Sequence, residues 1–330
     1  MFVNKKPNLY FNESKFYFIN YLNSKIRTLF RKIDKLDFFY SKILHLFYKF
    51  LKCKSFFNKI KIMNNKNEIV SIEDGLQKKG FLSLENNGEN DKINNLVLLT
   101  KTLFSKEETE KKLFDEGQKK NFLRSCRIDL RNKENYPYLE FLFTKNILHY
   151  LCKYLDNMLV LKELTLLYSE NKKFEKGRSQ EFHMDGDDQK QIKLRVNISS
   201  VDLNNGPLTV ISKEDTRLIF DSLEKKKIIK KKSTKIDDEK IFNISKNIKY
   251  QTLIGKEGTI DMVDTSNCYH FGSRPGNRPR LILEYQFLTP FSYNLPFIGT
   301  DQTPSYIGGL EIEDSKKKIL SNILRYYTFK

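Results

Sequence analysis

Ile192-Lys193-Leu194-Arg195-Val196-Asn197-Ile198-Ser199-Ser200-Val201 is the stretch whose reading decides the fold class. Ile192, Leu194, Val196 and Ile198 alternate with Lys193, Arg195, Asn197 and Ser199. That is the period of a strand with one buried face and one polar face. Asn204-Asn205-Gly206-Pro207 follows as a turn signal, and Leu208 to Ile211 reads as the next strand. Further strands are predicted at Gly258 to Val263 and, after the Gly/Pro/Asn-rich turn from Gly272 to Pro279, at Arg280 to Phe287. On the other side, Gly80 to Leu84 reads as a strand after a short helix from Ile69 to Lys79. Glu107 to Lys120 reads as a charged, exposed helix, and Leu139 to about Leu167, just after Pro137, as a second helical region. Short strands separated by turns and preceded by helices predict a mostly β domain with helical cladding, an α+β double-stranded β-helix of the jelly-roll, cupin-like kind.

Composition narrows the class. A chain of 330 residues with 39% hydrophobic residues and 26 phenylalanines can bury a sizeable core. The formal charge of +18 speaks to association and solubility, not to fold. Lys, Asn, Ile and Phe are all heavily used and Trp is absent, a bias that also arises by drift at the surface. Cys53, Cys126, Cys152 and Cys268 are scattered with no Cys-x-x-Cys pair, which argues against a disulfide scaffold or a zinc finger. A reducing cytoplasm is the expected location. No apolar run reaches the roughly 18 residues of a membrane span. The polar start Asn4-Lys5-Lys6-Pro7-Asn8 does not read as a secretory signal.

Two segments stand apart from the predicted domain at 63–330. Residues 1–62 are basic and aromatic, and Leu29, Ile33, Leu36, Tyr40, Ile43, Phe47 and Phe50 fall at helical spacing among arginines and lysines. This amphipathic helix is expected to pack on the domain or on a second copy of the chain, with an anionic membrane at the inner face of the cell as the other option. Residues 213–249 hold Lys225-Lys226-Lys227 and Lys230-Lys231-Lys232 and read as a mobile, solvated insert outside the sheet. No aromatic interleaves the lysines, so no specific nucleic-acid partner is expected.

Glu181-Phe182-His183-Met184-Asp185-Gly186-Asp187 carries the chemistry. A His-x-Asp pair at a strand end directs an imidazole and a carboxylate to one side. A second histidine from elsewhere would complete a 2-His-1-carboxylate triad with open positions on Fe(II). The chain has four histidines, His45, His149, His183 and His270. His45 reads as a residue of the N-terminal helix, and His149, on a mostly apolar helix, as a core or interface residue. His270 follows a predicted strand, and Arg280 opens the next one. The guanidinium fork of Arg280 suits a carboxylate such as the distal end of a 2-oxo acid.

His183-Met184-Asp185-Gly186-Asp187, with Val201-Asp202-Leu203-Asn204-Asn205-Gly206-Pro207-Leu208 after it, resembles the phytanoyl-CoA dioxygenase family of Fe(II)/2-oxoglutarate oxygenases. Leu76-Gln77-Lys78-Lys79-Gly80-Phe81 is similar to that family's opening helix-to-strand passage, and the resemblance covers roughly 70–290. It implies that His183, Asp185 and His270 bind iron, that Arg280 pairs with the distal carboxylate of 2-oxoglutarate, and that Ser273 helps to hold it. No catalytic side chain beyond the metal centre is implied. The implied cofactors are Fe(II), 2-oxoglutarate as cosubstrate and O2. The implied reaction is oxidative decarboxylation of 2-oxoglutarate to succinate and CO2, coupled to oxidation of a small-molecule, lipid or glycan substrate. Related halogenases carry a small residue where Asp185 stands, so Asp185 implies hydroxylation. The chain departs from the family at Ile211-Ser212-Lys213-Glu214, where members often continue Pro-Gly-Ser-His. A non-catalytic jelly-roll binding module and a metal hydrolase using the same ligands are the alternatives.

Overall fold

The structure is a computed structural model. It describes residues 75–327 apart from 87, 89, 112, 114–117, 121, 157–158, 177, 230–233, 245–247, 290–291, 293–301 and 326. The basic helix expected within 1–62, and most of the helix expected from Ile69, lie outside these residues. In chain order the strands are β1 (Phe81–Leu84), β2 (Gln118–Lys120), β3 (Leu123–Arg127), β4 (Val160–Ser169), β5 (Ile192–Asn197), β6 (Leu208–Ile211), β7 (Tyr250–Leu253), β8 (Ile260–Val263), β9 (His270–Phe271) and β10 (Arg280–Leu288). The helices are α1 (Asp91–Phe104), α2 (Glu107–Lys111), α3 (Tyr136–Glu140), α4 (Ile147–Leu155), α5 (Lys213–Lys225), α6 (Asp238–Phe242) and α7 (Asp314–Leu324). Among the described residues no helix is long and apolar enough to cross a membrane.

Two antiparallel sheets face one another. The larger has the order β1-β8-β5-β10-β4-β3-β2, the smaller β7-β6-β9. Isolated bridges Phe182↔Ile236 and His183↔His270 add residues 182–183 to the free side of β9. From β4 onward the chain therefore visits large, small, large, small, small, large, small and large sheet in turn. The spatial orders that result, β4-β10-β5-β8 over 182/183-β9-β6-β7, are those of a double-stranded β-helix. The expected jelly roll with helical cladding is the observed architecture.

The outer face of the large sheet is apolar. Leu281, Leu283, Tyr285 and Phe287 of β10, with Ile192, Leu194 and Val196 of β5, share one cluster with Ile93 and Leu96 of α1, Leu151 and Tyr154 of α4, and Ile319 and Ile323 of α7. The helices thus cover one side of the sheet, and burying that stripe is what orders them. The inner face carries Arg280, Glu284 and Gln286 of β10 and Lys193, Arg195 and Asn197 of β5. The alternation along 192–197 predicts one buried and one polar face. The polar face is buried as well, because it lines the barrel: Arg195 is 5% and Asn197 2% exposed.

Three other expectations change. Glu107 to Lys120 is not one helix but the short α2 and the strand β2. The helical region from Leu139 stops at Leu155, where Asp156 turns left-handed (φ 50), and residues 160–169 become β4. Pairing with β10 on one side and β3 on the other decides that outcome, since β4 then satisfies its backbone within the sheet. Residues 213–249 are not a solvated loop over their described part. Ser212 caps α5 by accepting from the Asp215 amide, and Asp237 caps α6 by accepting from Lys240. Ile219, Leu223, Ile229, Ile236 and Ile241 bury against Phe182, Met184 and Tyr269 in a second core cluster. Lysine density hid this apolar stripe.

Leu223 and Leu218 share α5 but are 0% and 63% exposed. Leu223→Ala is expected to cost about 2–5 kcal/mol, read as a lower denaturant midpoint. Leu218→Ala is expected to stay within about 0.5 kcal/mol of the parent. Equal, small effects of both would show that the insert does not pack.

Candidate metal centre

One backbone bridge creates the site. The His183 amide donates to the His270 carbonyl at 3.1 Å, and the His270 amide donates back to the His183 carbonyl at 3.0 Å. Two residues that exchange both bonds across antiparallel strands project their side chains to the same face. The imidazole centroids stand 4.4 Å apart. Asp185 is two residues further along, so period two returns its side chain to that face, and its amide is fixed by the Thr265 carbonyl at 2.7 Å.

Each ring is held the same way. Nδ1 of His183 lies 2.9 Å from the Glu181 carbonyl, and Nδ1 of His270 lies 3.0 Å from the Cys268 carbonyl. A carbonyl can only accept, so each Nδ1 carries the hydrogen and each Nε2 keeps its lone pair for the centre. His183 Nε2 lies 3.7 Å from Asp185 Oδ1, and His270 Nε2 lies 4.0 Å from Asp185 Oδ2. One ligand atom from each of the three residues fits within 4.8 Å of the other two. Neighbouring ligands of an ion at about 2.1 Å sit roughly 3 Å apart, which small side-chain rotations reach.

Electrostatics suits a cation. Burial, then the neighbouring His270, pushes His183 down to about 3. His270 is also lowered, chiefly by burial, against the pull of Asp185. Both rings are therefore neutral at ordinary pH, the state that ligates. Burial pushes Asp185 up, but Lys193 and the two imidazoles outweigh it and hold the carboxyl well below the usual range. Lys193 Nζ lies 3.1 Å from Asp185 Oδ2 and 3.6 Å from Glu284 Oε1. Gln191 Nε2 donates to the same Oδ2 at 3.0 Å. Two donors on Oδ2 leave Oδ1 as the atom to offer a metal.

Arg280 and Ser273 come together nearby. Arg280 Nη2 donates to Ser273 Oγ at 2.8 Å, while its Nη1 is buried without a hydrogen-bond partner. Ser273 itself is set by the turn read from the sequence. Its amide donates to the Gly206 carbonyl at 3.0 Å, and Gly206 sits at φ +57 with a Cβ position only 2.5 Å from the Arg274 carbonyl. Only glycine fits that turn. His149 belongs to α4 and not to the triad. His45 lies outside the described residues.

The sequence reading missed Gln191, Lys193, Arg195 and Glu284. The signal was present: Lys193 and Arg195 alternate on β5, and Glu284 stands at the same parity as Arg280 on β10. Only the register, Arg195↔Glu284, turns those charges toward one interior.

No known protein-family profile matches the chain. No curated protein matches it in sequence either. Solved structures do resemble it in shape. Crystalline EctD from S. alaskensis with 2-oxoglutarate and 5-hydroxyectoine aligns with TM-score 0.48 and 13% identity, over 68% of this chain and 79% of that one. The non-heme alpha-ketoglutarate-dependent epimerase SnoN from nogalamycin biosynthesis aligns with TM-score 0.46 and 12% identity, over 66% and 82%. AviO1 from Streptomyces viridochromogenes aligns with TM-score 0.43 and 12% identity, over 69% and 98%. Likeness at this level carries no weight for activity, and the strand order above gives the fold by itself.

The lowered histidines have a consequence for the metal-free protein. The unfolded chain takes up protons near pH 6.5, whereas folded His183 stays neutral until about pH 3. Unfolding therefore binds protons across that window, and stability falls as pH drops through it. His183→Gln, which cannot protonate, is expected to flatten the dependence by up to about 1.4 kcal/mol per pH unit. Denaturant midpoints between pH 4 and pH 7 measure the difference. Parallel curves for parent and variant would place the charge-sensitive group elsewhere.

Proposed function

We propose that this chain is a non-haem Fe(II)- and 2-oxoglutarate-dependent dioxygenase that hydroxylates a small molecule. The observation that carries the reading is one interior holding two kinds of site. Three ligand atoms, two imidazole nitrogens and one carboxylate oxygen, lie within 4.8 Å of one another. A buried arginine with an unmet donor, Arg280, faces the same barrel. The donor set is the facial triad that suits ferrous iron and leaves positions open for a bidentate 2-oxo acid and O2. The unmet Nη1 suits a carboxylate, which a metal hydrolase would not need. When bound, iron would let O2, the oxidant, take two electrons from 2-oxoglutarate, which leaves as succinate and CO2, and two from the C–H bond that becomes hydroxylated.

The chain's own residues have definable tasks. His183, Asp185 and His270 would hold the metal, with Nδ1 of each histidine anchored to a carbonyl so that the rings cannot turn away. Gln191 and Lys193 keep Asp185 aimed through Oδ1. Arg280, steadied by Ser273, would fix the far end of the cosubstrate. His183 and His270 are buried, so the reacting group of a substrate must enter the barrel mouth, which favours a small molecule over a folded polymer.

Purified protein given Fe(II), 2-oxoglutarate and O2 is expected to form succinate, and chelation is expected to stop it until Fe(II) is restored. Asp185→Ala is expected to abolish both iron retention and turnover. Arg280→Ala is expected to raise the 2-oxoglutarate requirement about tenfold or more with metal affinity unchanged. Folded protein that neither retains iron nor consumes 2-oxoglutarate would reject the reading, leaving a jelly-roll binding module.

A further inference from the structure

The inner face of the large sheet carries a row of charge that the triad does not use. The β-ladder places Ser83, Asp261, Arg195, Glu284 and Thr165 side by side across β1, β8, β5, β10 and β4. Arg280 lies four residues before Glu284 on β10, hence on the same face. Two guanidiniums thus enter one interior, and both residues are 5% exposed.

Neither guanidinium is fully satisfied. Arg195 Nε stands 3.5 Å from Glu284 Oε2, yet makes no hydrogen bond, and Arg280 Nη1 makes none either. Thr165 Oγ1, opposite Glu284, is a third buried polar atom without a partner. The local carboxylates are shared among the cations. Glu284 serves Lys193 as well as Arg195. Asp261 accepts from Ser83 Oγ at 2.7 Å, and burial pushes its carboxyl up against the pull of Ser83, Arg195 and Arg280. Burial, then the charge of Arg195, disfavours the charged form of Arg280. Two like charges buried in one interior with unmet donors are relieved by an anion between them.

We infer that Arg195 is the second arm of a two-arginine clamp for the distal carboxylate of the cosubstrate, with Glu284 setting its direction. The inference rests on the oxygenase reading and deepens it. The clamp makes the chain selective for a 2-oxo diacid over a 2-oxo monoacid. Arg280 alone would offer one free donor, while the pair brings guanidiniums from two strands, β5 and β10, into one interior, close enough for the charge of Arg195 to act on Arg280.

The test is binding, not turnover. Whole protein loaded with Mn(II) in place of Fe(II) is titrated calorimetrically with 2-oxoglutarate and with 2-oxopentanoate, which has the same chain but no distal carboxylate. Arg195→Gln is expected to weaken 2-oxoglutarate about tenfold or more while leaving Mn(II) and 2-oxopentanoate affinities unchanged. Arg195→Lys is expected to recover part of the loss. An Arg195→Gln protein that binds 2-oxoglutarate as the parent does would overturn the inference and leave the oxygenase reading standing. Equal losses for all three ligands would mark Arg195 as structural and overturn it too. A parent protein that binds Mn(II) but neither 2-oxo acid would sink the oxygenase reading, and the clamp with it.

Discussion

The reciprocal pair of backbone hydrogen bonds between His183 and His270 is the constraint on which the rest depends. It joins the segment after β4 to the strand β9, and so closes the smaller sheet at the edge where the chain would otherwise be open. It also sets both rings on one face without help from any side-chain contact. The same sheet logic supplies the carboxylate, because Asp185 is two residues on. A slip of one residue of the 182–183 segment against β9 would turn His183 to the other side while β6 keeps His270 in place. The large hydrophobic cluster buries the opposite face of the big sheet.

Much of this was legible in the residues. Strands β1, β5, β6, β8 and β10 were readable because apolar alternation and Gly/Pro/Asn turns bracket them. The triad was readable because histidine is scarce and His-x-Asp has a natural strand geometry. What escaped reading has a common cause. Val160 to Ser169 looked helical because a strand buried on both faces loses its alternation, and only its two neighbours reveal it. The insert after β6 looked solvated because its lysines outnumber the isoleucines and leucines that do the packing. Lys193 and Arg195 were legible only as a polar face, because the sequence does not say whether such a face meets water or, as here, the lumen of a barrel.

That lumen explains the balance between stability and chemistry in this fold. Buried charges are costly unless paired, and here they are paired only in part. Lys193 bridges Asp185 and Glu284, Arg195 leans on Glu284, and Asp261 leans on Ser83. The large sheet bears that cost on its inner face and recovers it on its outer face, where leucines, isoleucines and tyrosines meet the helices. Function and folding are thus assigned to opposite faces of the same strands.

The carbonyl contacts to Nδ1 of His183 and His270 have one more consequence. The rings are oriented by main chain, not by the ion they would ligate. Folding and metal loading are then separate events, unlike a zinc finger, whose ligands gather only around the metal. The scaffold that would hold a metal is thus complete before any ion arrives, and loading would need no rearrangement of the rings.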